Sequence, residues 1–107
     1  MATTAAIPIP VSPEAAAFIA EVGQQREFEI LLEHTKQVVA DLRAIEVTLD
    51  DTPETGPPGV ILFAHHSEPW NGVDRTDWDW GMWFIQTFPP EVCQNFVILS
   101  IYPPDGR

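Results

Sequence analysis

The amino-acid sequence predicts an α+β fold, a small antiparallel sheet of about three strands with helices on one face. Near the start of the chain, apolar residues recur at the spacing of amphipathic helices. Residues 45–49 alternate between apolar and polar, and the runs at 59–66 and 96–102 are rich in β-branched and aromatic residues, as strands are. The predicted order is α-α-β-β-α-β, in a single domain spanning residues 12–107.

The first helix is predicted from Pro13 to about Val22. The Ser-Pro-Glu sequence at 12–14 supplies an N-cap hydroxyl, a first-turn proline and an acid near the positive helix end, and Gly23 can end the helix. Residues 1–11 are predicted to form a flexible or extended leader, because alternating proline and isoleucine cannot sustain a helix.

A second helix is predicted from about Gln25 to Val39, with leucines and valines on one side and charged residues on the other. The alternation at 45–49 then indicates a half-buried strand. The stretch DDTPETGPPG that follows is a loop, since three prolines and two glycines suit neither regular element. The next strand, GVILFAHH at 59–66, is expected to be central and antiparallel to the first.

The last strand is predicted at 96–102, and its run FVILSIY suits a mostly buried position. Residues 77–88, which precede it, fit two structures. As a strand, they would alternate aromatic residues with aspartates and add a fourth strand to the sheet. As a helix capped by Thr76, which we prefer, they would place four aromatic residues on one face: Trp80, Trp83, Phe84 and Phe88.

The chain is acidic, with 5 Lys or Arg residues, 16 Asp or Glu residues and a net charge of −11. Most of this charge lies in the second part of the chain, since residues 1–43 carry −3 and residues 44–107 carry −8. A surface of this sign repels phosphate backbones and anionic lipid, so we expect neither direct nucleic-acid binding nor membrane binding. It favours a basic protein partner instead.

Few residues suggest catalysis. Cys93 is the only cysteine, which excludes an internal disulfide and fits a reducing cytoplasm. Neither a secretion signal nor a phosphate-binding glycine motif is visible. Ser67 lies beside His66, but not in a nucleophile elbow. We therefore expect a cytoplasmic protein that is not an enzyme and needs no cofactor.

A metal or ligand site is the alternative hypothesis, centred on His65, His66 and Glu68 with Asp74 beyond them. Imidazole and carboxylate groups together suit zinc, iron or manganese. However, adjacent residues of a strand point to opposite faces, so the two histidines are not expected to bind one ion. Their spacing also matches no helical zinc motif.

The four tryptophans lie within the fourteen residues 70–83, interleaved with aspartates. We expect Trp80 and Trp83 in the core, and Trp70 and Trp78 partly exposed. Exposed indoles dominate many protein interfaces, and nearby carboxylates complement Arg or Lys on a partner. Indoles also bind sugars and small cations, a third possibility. The residues predicted to contact a basic partner are Trp70, Asp74, Asp77, Trp78 and Asp79. An inhibitor, antitoxin, immunity protein or accessory subunit fits this prediction, whereas the oligomeric state is not predicted.

Overall fold

A computed structural model describes residues 7–52, 54 and 56–104. These residues contain the helices α1 (Pro13–Val22), α2 (Gln25–Val38), α3 (Thr76–Thr87) and α4 (Pro90–Cys93), and the strands β1 (Leu42–Asp50), β2 (Gly59–His66) and β3 (Phe96–Ile101). The α+β class and the predicted order are confirmed, with the one-turn α4 as an addition. The segment that fitted both helix and strand is helical.

The sheet has the order β1-β2-β3 and is mixed. β1 pairs antiparallel with β2, as predicted, whereas β3 pairs parallel with β2. A parallel pair needs a crossover connection, and α3 and α4 supply it. Val47, Leu62 and Ile98 therefore lie side by side across the three strands.

The described part of the predicted leader lies along the outer edge of β1. The backbone N–H groups of Ile45 and Val47 donate to the carbonyl oxygens of Pro8 and Pro10 at 3.0 and 2.9 Å. Ile9 packs against the core from this segment. Prolines suit an edge position because they need no partner for an N–H group. The leader is thus extended and hydrogen-bonded over residues 8–11, while residues 1–6 lie outside the described part of the chain.

Local capping fixes the first helix as the sequence predicts. The Ser12 side chain accepts from the N–H of Ala15 at 3.1 Å. Gly23 ends the helix in the left-handed region, at φ 70°, which glycine adopts at no steric cost. For α3 the predicted cap is shifted, because Thr76 is the first helical residue and the Asp74 carboxylate accepts from its N–H at 3.0 Å.

All four helices of the described chain pack on one face of the sheet. Trp80 is 2% exposed and donates from Nε1 to Thr35 Oγ1 at 2.9 Å, so its predicted core position is confirmed. Trp83 is half-buried and stacks on His34, with ring centroids 3.6 Å apart. The core between sheet and helices contains Ala15, Ile19, Phe28, Leu31, Ile45, Val47, Val60, Leu62, Ala64, Trp80, Phe84, Val92, Phe96 and Ile98.

The other face of the sheet is not covered by any described segment. The prediction that β3 is mostly buried is wrong for this face of the sheet. The β3 side chains on this face are exposed, and β3 also lies at an edge of the sheet. We call this surface the open face. By strand alternation and register it consists of Ala44, Glu46, Thr48, Asp50, Gly59, Ile61, Phe63, His65, Val97, Leu99 and Ile101.

Within the described residues, no helix has the length and apolar character needed to cross a membrane.

Candidate interaction surface

Helix α3 is apolar on two sides. Trp80 and Phe84 point into the core. Trp78, Met82 and Ile85 are exposed, and their i, i+4, i+7 spacing places them together on the roughly opposite side of the helix. A helix at the surface of a small domain needs only one apolar side, so the exposed stripe is not explained by folding.

The loop at 67–75, which leads into α3, adds two more exposed apolar side chains, Trp70 and Val73. Trp70 is 56% exposed and Trp78 is 60% exposed, which confirms the prediction for both indoles. We call this group the aromatic surface, and it consists of Trp70, Val73, Trp78, Met82 and Ile85.

Hydrogen bonds within the loop hold Trp70 and Val73 in place. The Asn71 side chain accepts from the N–H groups of Val73 and Asp74 at 2.9 and 2.8 Å. Trp70 Nε1 donates to the Asp74 carbonyl at 3.2 Å. The exposed side chains therefore project from an ordered backbone.

Two of the three aspartates predicted to contact a partner are bound within the chain. Asp74 accepts from the Thr76 hydroxyl and from the Tyr102 hydroxyl at 2.8 Å. Asp77 accepts from the N–H and the hydroxyl of Ser100 at 3.2 and 2.5 Å. The hydrogen bond from Thr76 is the main reason that the pKa of Asp74 lies below its usual value, against the opposing effect of burial.

Asp79 is the third predicted aspartate, and it is exposed at the first turn of α3. Its carboxylate has no hydrogen bond to another described side chain. Arg75 lies nearby on the chain, with its guanidinium carbon 5.7 Å from the centre of the Trp78 ring. This distance is within the range of cation–π attraction, so the exposed indole already attracts one cation.

A buried polar link connects the strands to α3 beneath the loop at 67–75. His66, whose side chain is 1% exposed, lies with Nδ1 2.7 Å from Asp41 Oδ1 and Nε2 3.0 Å from Ser100 Oγ. The Tyr102 ring stacks on the imidazole at 4.1 Å. Asp41 also accepts from the backbone N–H of Glu68 at 3.1 Å, so the link anchors the start of the loop.

The order Asp41, His66, Ser100 is that of the acid, base and nucleophile of serine hydrolases. A nucleophilic serine must give its hydroxyl proton to the histidine. Here the Ser100 hydroxyl donates to Asp77 instead, and the stacked Tyr102 ring covers the imidazole. The geometry therefore favours a structural link between β2, β3 and α3.

Sequence reasoning missed this link, because its members lie far apart along the chain. Asp41 and Ser100 are 25 and 34 residues from His66. The one available signal was that His66 and Ser100 lie near the ends of two strands. Using this signal required knowing that β2 and β3 are parallel neighbours.

The predicted metal ligands do not come together. His65 lies on the open face, with Nε2 3.2 Å from Glu46 Oε1, whereas His66 is buried on the helix side. Strand alternation separates them, as expected. Glu68 is exposed and contributes its backbone N–H to Asp41. The described part of the chain contains no group of three or more His, Cys, Asp or Glu side chains placed to hold a metal ion.

A cleft of about 550 Å³ lies at the end of the open face, next to His65. Its polar lining includes Arg43, Glu46 and His65, and its walls include Tyr102 and four prolines at 8, 10, 103 and 104. The cleft has the volume of small-molecule sites.

Acidic groups in the buried link make stability depend on pH. Burial acts to raise the pKa of Asp41, but the hydrogen bonds from His66 and from the Glu68 N–H outweigh it, so the pKa lies below 3.8. A lowered folded-state pKa stabilises the fold above the unfolded-state pKa, and this contribution is lost as pH falls through the folded-state pKa. Asp74 acts in the same direction.

We therefore expect the free energy of unfolding to fall less steeply below about pH 4 in Asp41→Asn than in the wild type. Urea unfolding at about pH 6, 4 and 3 measures this slope. Glu33→Gln is the control, since Glu33 lies on the exposed side of α2. Equal slopes in Asp41→Asn and the wild type would contradict the role given to Asp41.

A scan against protein-family models and searches of curated proteins and of solved structures found no match to this chain.

Proposed function

We propose that this chain is a non-catalytic interaction module that docks on a basic protein partner through its aromatic surface. The observation that carries the proposal is the second apolar side of α3, formed by Trp78, Met82 and Ile85. Large exposed apolar groups of this kind mark interaction sites on soluble proteins. Tryptophan is also the residue most enriched where binding energy concentrates.

The charge around the aromatic surface supports a basic partner. Residues 68–85 contain four carboxylates and one arginine, a net charge of −3 within a chain of −11. Asp79 is available for an ion pair, while Asp74 and Asp77 add to the local field although they are hydrogen-bonded within the chain. The contact between Arg75 and Trp78 shows the kind of cation–indole contact that a partner's arginine can make.

Order in the loop at 67–75 also supports docking. Immobilising loops and side chains costs free energy on association, and a surface that is already ordered avoids much of this cost. Asn71, Asp74 and the link through His66 fix the loop before any partner binds. A role as inhibitor, antitoxin, immunity protein or accessory subunit in the cytoplasm is consistent with this proposal.

The double variant Trp70→Ala, Trp78→Ala tests the proposal. Affinity purification of the tagged wild-type chain from its native host identifies an abundant basic protein, whose binding is then measured with both proteins purified. We expect the double variant to bind about 1,000-fold more weakly, since two indoles that contribute about 2 kcal/mol each together account for about 4 kcal/mol of binding free energy. Its stability should stay within about 1 kcal/mol of the wild type, because both rings are exposed.

Ile30→Ala is the matched control, because Ile30 is an exposed apolar residue on α2, outside the aromatic surface. Wild-type affinity is expected for this variant. Binding by the wild type should also weaken as salt rises from about 0.05 to 0.5 M, since the acidic field attracts the partner. Unchanged binding by the tryptophan double variant would refute the aromatic surface, and a flat salt response would refute the electrostatic part.

The cleft beside His65 is the observation that favours the second candidate, a ligand-binding domain. It adjoins two of the three residues named for that alternative, His65 and His66. Its volume and mixed lining suit a small ligand. Binding of a small molecule that His65→Ala abolishes, while the tryptophan double variant retains it, would support this candidate over docking.

A further inference from the structure

The open face is the second large apolar surface of the described chain. On β3, Val97, Leu99 and Ile101 are 47%, 43% and 39% exposed, and Ile61 and Phe63 lie beside them on β2. Parallel strands are normally covered on both faces, so an outward row of three aliphatic side chains on β3, which is parallel to β2, indicates a surface that another molecule covers. We propose that two copies of this chain associate through their open faces, with the strands of the two sheets antiparallel.

Charge favours a second copy at this face over any other part of the surface. Of the 16 acidic residues in the chain, only Glu46 and Asp50 are among the eleven residues of the open face. His65 Nε2 lies 3.2 Å from the Glu46 carboxylate, and Asp50 accepts from the Thr52 N–H at 3.2 Å. The helices carry eight of the 16. Two chains of −11 therefore bring fewer carboxylates together at this face than they would through their helices.

Layer spacing shows that the remaining repulsion is small. Helices pack about 10 Å from a sheet and two sheets pack about 10 Å apart, so the helical layers of two copies would lie roughly 30 Å apart. The Debye length at physiological ionic strength is about 8 Å. The acidic helices of the two copies are thus screened from each other.

The area of the open face fits a reversible dimer. The open face and the exposed Pro8 and Pro10 of the neighbouring hydrogen-bonded segment together form a surface four chain segments wide and about six residues long, a footprint of roughly 400 Å². Two copies cover about twice this footprint. Because side chains make the surface uneven, the accessible surface that they bury is larger, roughly 1,000 Å². This area is at the lower end of the range for specific interfaces. The population of dimer should therefore depend on concentration.

The ends of β1 determine the relative orientation. Arg43 lies near the start of β1, lines the cleft at the end of the open face, and has no ion pair with a described residue. Asp51 lies just beyond the other end. In this arrangement the two-fold axis runs between the two sheets and perpendicular to the strands. β1 of one copy then lies over β1 of the other and runs in the opposite direction. Symmetry then brings the Arg43 end of each copy to the Asp51 end of the other, twice per dimer.

Sedimentation velocity between roughly 1 and 200 µM tests the proposal, with the full chain. The wild-type mass should rise from monomer to dimer, and Leu99→Glu should weaken association at least about tenfold, because it places a carboxylate in the apolar face. Val97→Lys is the second variant, at an equally exposed position. Ile30→Glu is the matched control, since Ile30 is 40% exposed on α2, and it should associate as the wild type does.

A wild type that stays monomeric over this range overturns the proposal and leaves the open face to a different partner. So do folded Leu99→Glu and Val97→Lys variants that dimerise like the wild type. For the orientation, Arg43→Glu and Asp51→Arg should each weaken association by about two- to fivefold, and the double variant should restore it. Failure of the double variant to recover overturns the antiparallel arrangement. The aromatic surface is unchanged in all of these variants, so partner docking is tested separately.

Discussion

Replacing Trp80 with alanine is expected to lower the free energy of unfolding by about 3 to 5 kcal/mol, the range for removal of a buried aromatic side chain. The indole is 2% exposed and packs against Trp83 and Phe84. Its loss also leaves the Thr35 hydroxyl without the donor that it accepts from at 2.9 Å. Both effects act in the same direction.

Trp78→Ala is the control for this prediction, because Trp78 lies two residues away on the same helix and is 60% exposed. We expect a change within about 1 kcal/mol for this variant. Urea unfolding monitored by far-UV circular dichroism measures both variants under the same conditions. Equal losses in the two variants would contradict the division of α3 into a buried and an exposed side.

His66→Ala has the second-largest expected effect, a loss of about 2 to 4 kcal/mol. The variant removes the partner of Asp41 and of Ser100 and leaves the Tyr102 ring without the imidazole on which it stacks. The anchor of the loop at 67–75 is weakened at the same time, since the Asp41 carboxylate that accepts the Glu68 N–H loses the imidazole that positions it. Hydrogen exchange should therefore become faster at Glu68, beyond the effect on global stability.

His65→Ala is the matched control for this second prediction. The neighbouring histidine lies on the open face and makes one partly exposed contact, to Glu46. Its replacement should cost less than about 1 kcal/mol. The structural link would be refuted if the two histidine variants had equal stability.

The sequence predicted elements well where local signals were strong. Pro13–Val22 and Gly59–His66 were predicted with the bounds that the structure shows, because an N-cap, a C-terminal glycine and flanking turn residues mark their ends. Helix α3 was harder, since its aromatic residues satisfy both a helical and an alternating pattern. The choice between helix and strand depends on the packing of Trp80 and Phe84 in the core.

The pairing of β3 and the contacts of side chains from distant parts of the sequence were not predicted. A run such as FVILSIY shows that a strand is apolar but not which of its faces a helix covers, so the exposure of Val97 and Leu99 was missed. The parallel pairing of β3 follows from a crossover that the antiparallel prediction did not include. In the candidate site, the exposed indoles were predicted, whereas the bonding of Asp74 and Asp77 inside the chain depends on Tyr102 and Ser100 from the far end of the sequence.

The bond from the Ser100 backbone to Asp77 has a consequence for sheet growth. An edge strand presents unpaired backbone groups that can template further strands and lead to aggregation. Asp77 accepts a hydrogen bond from the Ser100 N–H at 3.2 Å. This N–H group therefore cannot pair with an added strand, and the carboxylate places a negative charge beside it. A carboxylate supplied by the crossover helix thus limits extension of the sheet beyond β3.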